Sequence, residues 1–271
     1  MISKTFQSLK KGQKWFFFFF TFFFFACESL FNQSVQAEPV DYSLSVLTRS
    51  YPFGLSLYGD MGLNQLLWGD HSSGNYFYGY LRPYAKVRSS VVVNRGEVGM
   101  DIFPLSFFGV RFGYGESFRN IDFDAVNCKE FYCRGSLGEL FLKSSLTLGY
   151  QDFFIGGSLR VSQLYGPGLD RPFIDEYSML RGVAGRDQLF SSELFVGYKF
   201  TENLNIGYYL DLDRMNQSQT QSSLNSLFFS LKQKEWKYGG GVGIYESTLQ
   251  SSGLSVFGAI SWVGASPLGV Q

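Results

Sequence analysis

The chain has 271 residues, carries 23 Lys and Arg against 23 Asp and Glu, and is 19% aromatic. It shows no basic stripe of the kind a nucleic-acid partner requires. Its length is that of one domain behind a short leader.

The leader comes first. Lys4, Lys10, Lys11 and Lys14 precede a run over 15–26 that is almost all Phe, and Ser34-Val35-Gln36-Ala37 follows. A basic start, a short apolar stretch and a small residue at the cut are the parts of a secretory signal peptide. The apolar run falls short of the roughly 20 residues that span a bilayer. Val35 and Ala37 take the minus-three and minus-one positions, so the expected division is a signal peptide over 1–37 and a mature domain over 38–271. A rival reading makes Ala26-Cys27 a lipid-attachment site, but Phe24 and Phe25 suit that pattern poorly. Of the 23 basic and 23 acidic residues the leader takes four Lys and Glu28, which leaves 19 against 22, a formal charge of −3.

Behind the leader the chain alternates. Residues 204–213 place Leu204, Ile206, Tyr208, Leu210 and Leu212 on one face of a strand. Asn205, Gly207, Tyr209, Asp211 and Asp213 fall on the other. The same dyad predicts strands over 42–49, 53–68, 75–88, 95–103, 107–119, 137–150, 153–165, 188–200, 204–213, 224–232, 236–246 and 254–263. One face is apolar nearly throughout, as with Leu55, Leu57, Met61 and Leu63, or Leu227, Phe229 and Leu231. The other carries Asp60; Arg82, Lys86 and Arg88; Glu97 and Asp101; Arg111; Glu139 and Lys143; Arg160; Glu193 and Lys199; and Asp211. A soluble β-sandwich also alternates with period two, but its core has no place for that many charges. The pattern points to an all-β, antiparallel up-and-down transmembrane barrel with a greasy outside and a polar lumen.

Connection lengths orient it. Periplasmic turns are short and outer loops long. The connections 150–152, 201–203 and 233–235 are short, 120–136 and 166–187 are long, and 214–223 is intermediate, which sends the C-terminus to the periplasm. The strand count is about twelve. Ten follows if the weak segment 42–49 is not a strand and another pair merges.

Several residues stand out for chemistry. The charged inner face is expected to line the lumen, either as ion pairs that hold or block it or as a narrow aqueous path. Arg82, Lys86 and Arg88 on one strand lean toward anionic solutes. The long stretch 166–187, with Asp170, Arg171, Asp175, Glu176 and Arg181, is either an inward constriction or a surface lid. Cys128 and Cys133 lie four apart in an exported chain, which makes a disulfide the expectation. A metal there needs more ligands than the neighbourhood offers, and no cofactor is expected. His71 sits in Gly69-Asp70-His71-Ser72-Ser73-Gly74. A Ser–His hydrolase is conceivable there, but these are ordinary turn residues on the expected periplasmic side. The chain is therefore read as no enzyme.

On these grounds the mature chain resembles bacterial outer-membrane β-barrel proteins, at the level of architecture rather than of one family. The resemblance implies a Gram-negative outer membrane. It also implies contact with the bilayer and its lipopolysaccharide leaflet, a barrel-insertion machinery as partner, and a monomer. Such proteins usually end on a strand with a terminal aromatic, whereas here Ser266-Pro267-Leu268-Gly269-Val270-Gln271 follow Trp262. The functional expectation is a narrow passive pore for small solutes or a structural barrel with surface loops. The alternative is a recognition or adhesion barrel with a plugged lumen, and third stands a lipid-modifying enzyme.

Overall fold

The computed structural model describes residues 40–69, 76–90, 92–119, 130–132, 135–166, 171–175 and 178–264. The leader, the Cys128–Cys133 pair, the His71 turn and the last residues of the chain lie outside the described residues. Every regular element described is a strand. In chain order these are β1 (Val40–Ser50), β2 (Phe53–Leu63), β3 (Gln65–Trp68), β4 (Gly79–Ser89), β5 (Val93–Leu105), β6 (Phe108–Arg119), β7 (Gly135–Tyr150) and β8 (Phe153–Tyr165). There follow β9 (Phe173–Asp175), β10 (Leu180–Gly182), β11 (Arg186–Lys199), β12 (Leu204–Met215), β13 (Gln221–Gln233), β14 (Trp236–Ser247) and β15 (Gly253–Val263).

Strands β2 and β3 are one stave. Both pair with β4, in the same register from Gly62 opposite Tyr84 to Gln65 opposite Leu81 across an interruption at Asn64, and the register shifts between Leu66 and Trp68. Strands β9 and β10 pair only with each other, as a hairpin inside the longest connection. Twelve staves remain. Each pairs antiparallel with its chain neighbour, and β1 pairs with β15, so the sheet closes on itself. Closure leaves no unpaired edge, which hydrocarbon demands of a β-protein.

The segment 42–49, weak in sequence, is an 11-residue stave. Its dyad is blurred because Leu47 points inward while Thr48 and Ser50 point outward. The ten-stave alternative is thereby set aside. The expected strand over 75–88 begins later, at Gly79, because Tyr78 turns under the rim. There its ring lies 6.2 Å from that of Tyr80, which stacks on Phe103 at 4.4 Å. Of the apolar stretch 89–94, Ser89 ends β4 opposite Asn94 on β5, and the Ser90 amide donates to the Val93 carbonyl at 2.8 Å.

Exterior positions are apolar and open to the surroundings on every side, with Leu57, Leu159, Leu227 and Leu254 each more than 60% exposed. Aromatic pairs mark the short-turn end, where Tyr42 meets Trp262 at 5.3 Å and Phe153 meets Tyr198 at 5.0 Å. Four of the five connections at that end have two to four residues (106–107, 151–152, 200–203, 234–235), and both described ends of the chain lie there. This is the periplasmic side. A closed antiparallel barrel with a lipid-facing exterior and a charged interior is an outer-membrane protein, and the chain sits in a bacterial outer membrane.

Leu227 lies at the middle of β13 facing outward, and Ser226 beside it faces inward. A cation at the lipid-facing midplane costs about 2–4 kcal/mol. Leu227→Arg is expected to lower the urea midpoint of the vesicle-folded barrel by that amount, while Leu227→Phe leaves it nearly unchanged. Equal midpoints for the two variants would mean that this face does not meet lipid.

Candidate functional site: the barrel lumen and its hairpin

All thirteen charged residues expected at the lumen lie on the inner face. They do not behave as one lining. The staves from β1 through β4 to β8, together with Glu193 on β11, form an ion-paired wall. Arg82 is its centre. Its Nε and Nη2 donate to Asp41 at 2.7 and 2.5 Å, its Nη2 meets Asp60 at 2.5 Å, and its Nη1 meets Asp101 at 3.3 Å. Asp41 also accepts from Asn64 at 2.7 Å, and Lys86 pairs with Asp60 at 3.2 Å. Asp101, only 2% exposed, takes a second guanidinium, from Arg111, in a two-pronged contact. Farther round, Arg95 pairs with Glu97 and Glu139, and Arg160 with Glu139 at 2.6 Å and Glu97 at 3.6 Å. Lys143 reaches over β8 to Glu193 at 2.7 Å, where Ser158 also donates. These twelve side chains carry six positive and six negative charges. Burying a charge is costly unless it is paired and hydrogen-bonded, and here each one is.

Part of this pairing follows the register, with Lys86 opposite Asp60 and Asp101 opposite both Arg82 and Arg111, and part runs against it. Arg111, Lys143 and Arg160 lie directly opposite one another on β6, β7 and β8. Like charges so placed repel. Each is drawn off to a different carboxylate, on β5, β11 and β7 respectively. Tyr84 sits among the cations. Its ring is 4.6 Å from the Lys86 ammonium, 4.7 Å from the Arg111 guanidinium and 5.9 Å from that of Arg82, and its hydroxyl donates to Glu97 at 3.0 Å. A ring face attracts cations, so Tyr84 ties the Arg82 group to the Glu97 group. Of the three cations Arg82, Lys86 and Arg88, the first two are paired with carboxylates, and Arg88 donates to Ser56 at 3.3 Å.

The wall of β11 to β15 is built differently. Its inner positions alternate Gly, Ser and Phe. Gly156 faces Phe195 and Gly197 faces Phe154 across the β8–β11 pair, and a Cβ at either glycine would fall within 2.2 Å of the opposing ring. In the same manner the Phe257 ring lies over Gly241 and the Phe228 ring over Gly207. Rings lying over cross-strand glycines are a known way of filling the place of an absent side chain. The inner positions Gly239, Gly241, Gly243, Phe257, Ala259 and Ser261 keep partial exposure, whereas Arg82, Lys86, Asp101 and Glu139 are buried. Asp211 lies on this side, on β12, with Asp213 beside it.

At the outer mouth the β9–β10 hairpin folds inward. Phe173 and Leu180, both 0% exposed, pack among Leu137, Leu164, Leu189 and Met215. Arg119 on β6 donates to the Ile174 carbonyl and, at 3.1 Å, to that of Tyr132. On the far side Ser222 and Tyr245 donate to the Ser178 carbonyl at 3.2 Å each. Counting β6, β7, β8, β11, β12, β13, β14 makes six steps in a ring of twelve, so the hairpin is a strap across the full width of the lumen. Its base is held by Asp187, fully buried, which accepts from the amides of Val183, Gln188, Gln217 and Ser218 at 2.7–3.2 Å.

Of the residues expected at a constriction, Asp175 is buried and accepts from the Ser178 amide and hydroxyl at 2.9 and 2.7 Å. Arg171 and Arg181 lie over the rings of Tyr132 and Phe131 at 4.6 and 5.3 Å. Asp170 and Glu176 lie outside the described residues. The apolar anchors Phe173 and Leu180 and the carboxylate Asp187 were missed by sequence reasoning. A short Phe-Ile-Asp run carries too little periodicity to mark a strand, and Asp187 reads as one more loop acid. Among the described residues no group of three or more His, Cys, Asp or Glu is placed to hold a metal ion.

No family model matches the chain, and no curated protein does. Solved structures similar to it include the NanC porin (12% identity, 82% of this chain and 98% of that one, TM-score 0.45). The KdgM porin is similar at 12% identity over 83% of this chain and 99% of that one, with TM-score 0.42. The translocator domain of the autotransporter NalP from Neisseria meningitidis is similar at 10% identity over 88% and 92%, with TM-score 0.43.

Removing one partner of a buried ion pair costs about 3–5 kcal/mol. Arg82→Met leaves Asp41, Asp60 and Asp101 to share Lys86 and Arg111. The variant is expected to lose its compact gel mobility in SDS at a lower temperature than the parent, and adding Asp41→Asn is expected to restore part of the difference. A single variant as heat-resistant as the parent would contradict the network's role.

Proposed function

We propose that the barrel is a narrow passive pore for small solutes, restricted at its outer mouth by the strap. The carrying observation is the unequal lumen: one wall is filled by neutralised side chains, and the other keeps a strip of partly exposed small residues along β14 and β15. A lumen of about eight staves is just wide enough for side chains to fill. Twelve staves with glycines at three successive inner positions of β14 leave more room than that. Tyr245 and Ser222 hold Ser178 inside the outer mouth, where the strap restricts the path.

A second reading, a sealed barrel that presents its outer loops, is favoured by the same strap contacts. Planar-bilayer recording separates the two. The parent is expected to give small discrete steps. A variant with residues 168–184 replaced by a short Gly-Ser link is expected to give steps several-fold larger. A silent parent beside a conducting deletion supports the sealed reading, and silence in both removes the pore.

A further inference from the structure

The cations of the filled wall are matched to carboxylates, but three inward lysines at the periplasmic mouth have no carboxylate partner among the described residues. Lys232 on β13 and Lys237 on β14 lie directly opposite each other in the ladder. Both project to the inner face, Lys232 exposed and Lys237 half-buried. Lys199 ends β11 on the same face, two stave spacings from β13, or about 10 Å. Like charges directly opposite on one face of a sheet destabilise it. Such a pair persists where something negative sits between them or where water screens them.

The neighbouring acids do not supply that charge. Glu202 and Glu235 sit in the exposed turns below, and neither pairs with these lysines among the described residues. The wall beside the lysines is open and hydroxylated. Ser261 lies opposite Lys237 and accepts from the Ser45 hydroxyl at 2.8 Å. Gly239, one inner position above Lys237, has no side chain, and a Cβ there would meet nothing closer than 3.8 Å. Two ammonium groups, serine hydroxyls and free space at the foot of the exposed strip form a receptor for anionic oxygen.

We infer that the periplasmic mouth binds small anions carrying carboxylate or phosphate groups through Lys232 and Lys237, with Lys199 extending the field, and that it biases the pore toward anions. The transport half of this rests on the pore reading, and the binding half does not. A ring of cationic side chains at a pore mouth raises the local concentration of anions and excludes cations.

The test uses the mature barrel in planar bilayers under a KCl gradient. The parent is expected to pass chloride in preference to potassium, and Lys232→Glu with Lys237→Glu to reverse that preference. Lys234→Gln, in the turn between β13 and β14, is expected to leave it unchanged. A conducting parent without preference, or a preference that survives the double exchange, overturns the inference and leaves the pore standing.

Binding is read separately, by acetylation rates of the individual lysines followed by mass spectrometry. In detergent, inorganic phosphate or citrate is expected to slow modification of Lys232 and Lys237 several-fold and that of Lys234 little. Protection by anionic phospholipid alone would assign the lysines to the inner-leaflet surface and overturn the site. No protection by any anion overturns it as well, whether or not the barrel conducts.

Discussion

A strand in hydrocarbon has nowhere to place its backbone donors and acceptors except on another strand. The rest of this molecule follows from that constraint. It requires the sheet to close, which brings β1 against β15 across most of the sequence. Closure fixes which face is inside, and the dyad then sorts every residue into lipid or lumen. A register slip of one residue would exchange the two sets on a whole stave. The barrel is therefore held less by a compact apolar core than by the cost of every alternative arrangement.

That same sorting creates the problem the interior must solve. Charges turned away from lipid are gathered into a confined space where water is scarce on one side. The filled wall solves it by neutrality and by reach. Asp60 and Asp101 take the cations directly opposite them, Lys86 for the first and Arg82 and Arg111 for the second, and the rest of the network reaches farther. Arg82 spans to β1, Arg95 to β7, Lys143 to β11, and Arg160 reaches Glu97 across two intervening staves. Contacts that bridge non-adjacent staves tie the barrel across its curvature, which the backbone ladder alone does not do. Surface ion pairs contribute little to stability. These differ because, apart from the more open Glu193, the carboxylates are largely withdrawn from solvent, and the loss of one partner leaves the others uncompensated.

The architecture was legible because it depends on a period of two that a linear chain displays. Leu204 to Asp213 shows it at a glance. Connection lengths showed the orientation for the same reason. Inner-face membership of the charged residues followed from the dyad too, but their partners did not. Pairing depends on the stagger of the staves and the length of each side chain, so Arg111, Lys143 and Arg160 read as a basic row although each has its own acid. The hairpin was legible as a long connection and not as a strap. Its inward fold is decided by the fit of Phe173 and Leu180 among Leu137, Leu164, Leu189 and Met215, four positions spread over β7, β8, β11 and β12. Nothing local in the sequence joins them.

The two walls also explain where space can exist. Stave number sets the area that the backbones enclose, and side chains decide how much of it is left. On β14 the inner positions 239, 241 and 243 are all glycine. A Cβ at Gly241 or Gly243 would fall within 2.3 Å of a carbonyl oxygen on β13. The close approach of β13 thus admits no side chain at these two positions; the Phe257 ring covers Gly241, and among the three it is Gly239 that has nothing closer than 3.8 Å to where a Cβ would stand. Phe228 and Phe257 lie opposite Gly241 and bound that space laterally. The strap closes it from above at Tyr245, and Lys237 stands at its foot. On the proposed pore reading, a route through this barrel is a matter of backbone spacing on one side and charge balance on the other, with the hairpin running from one wall to the other.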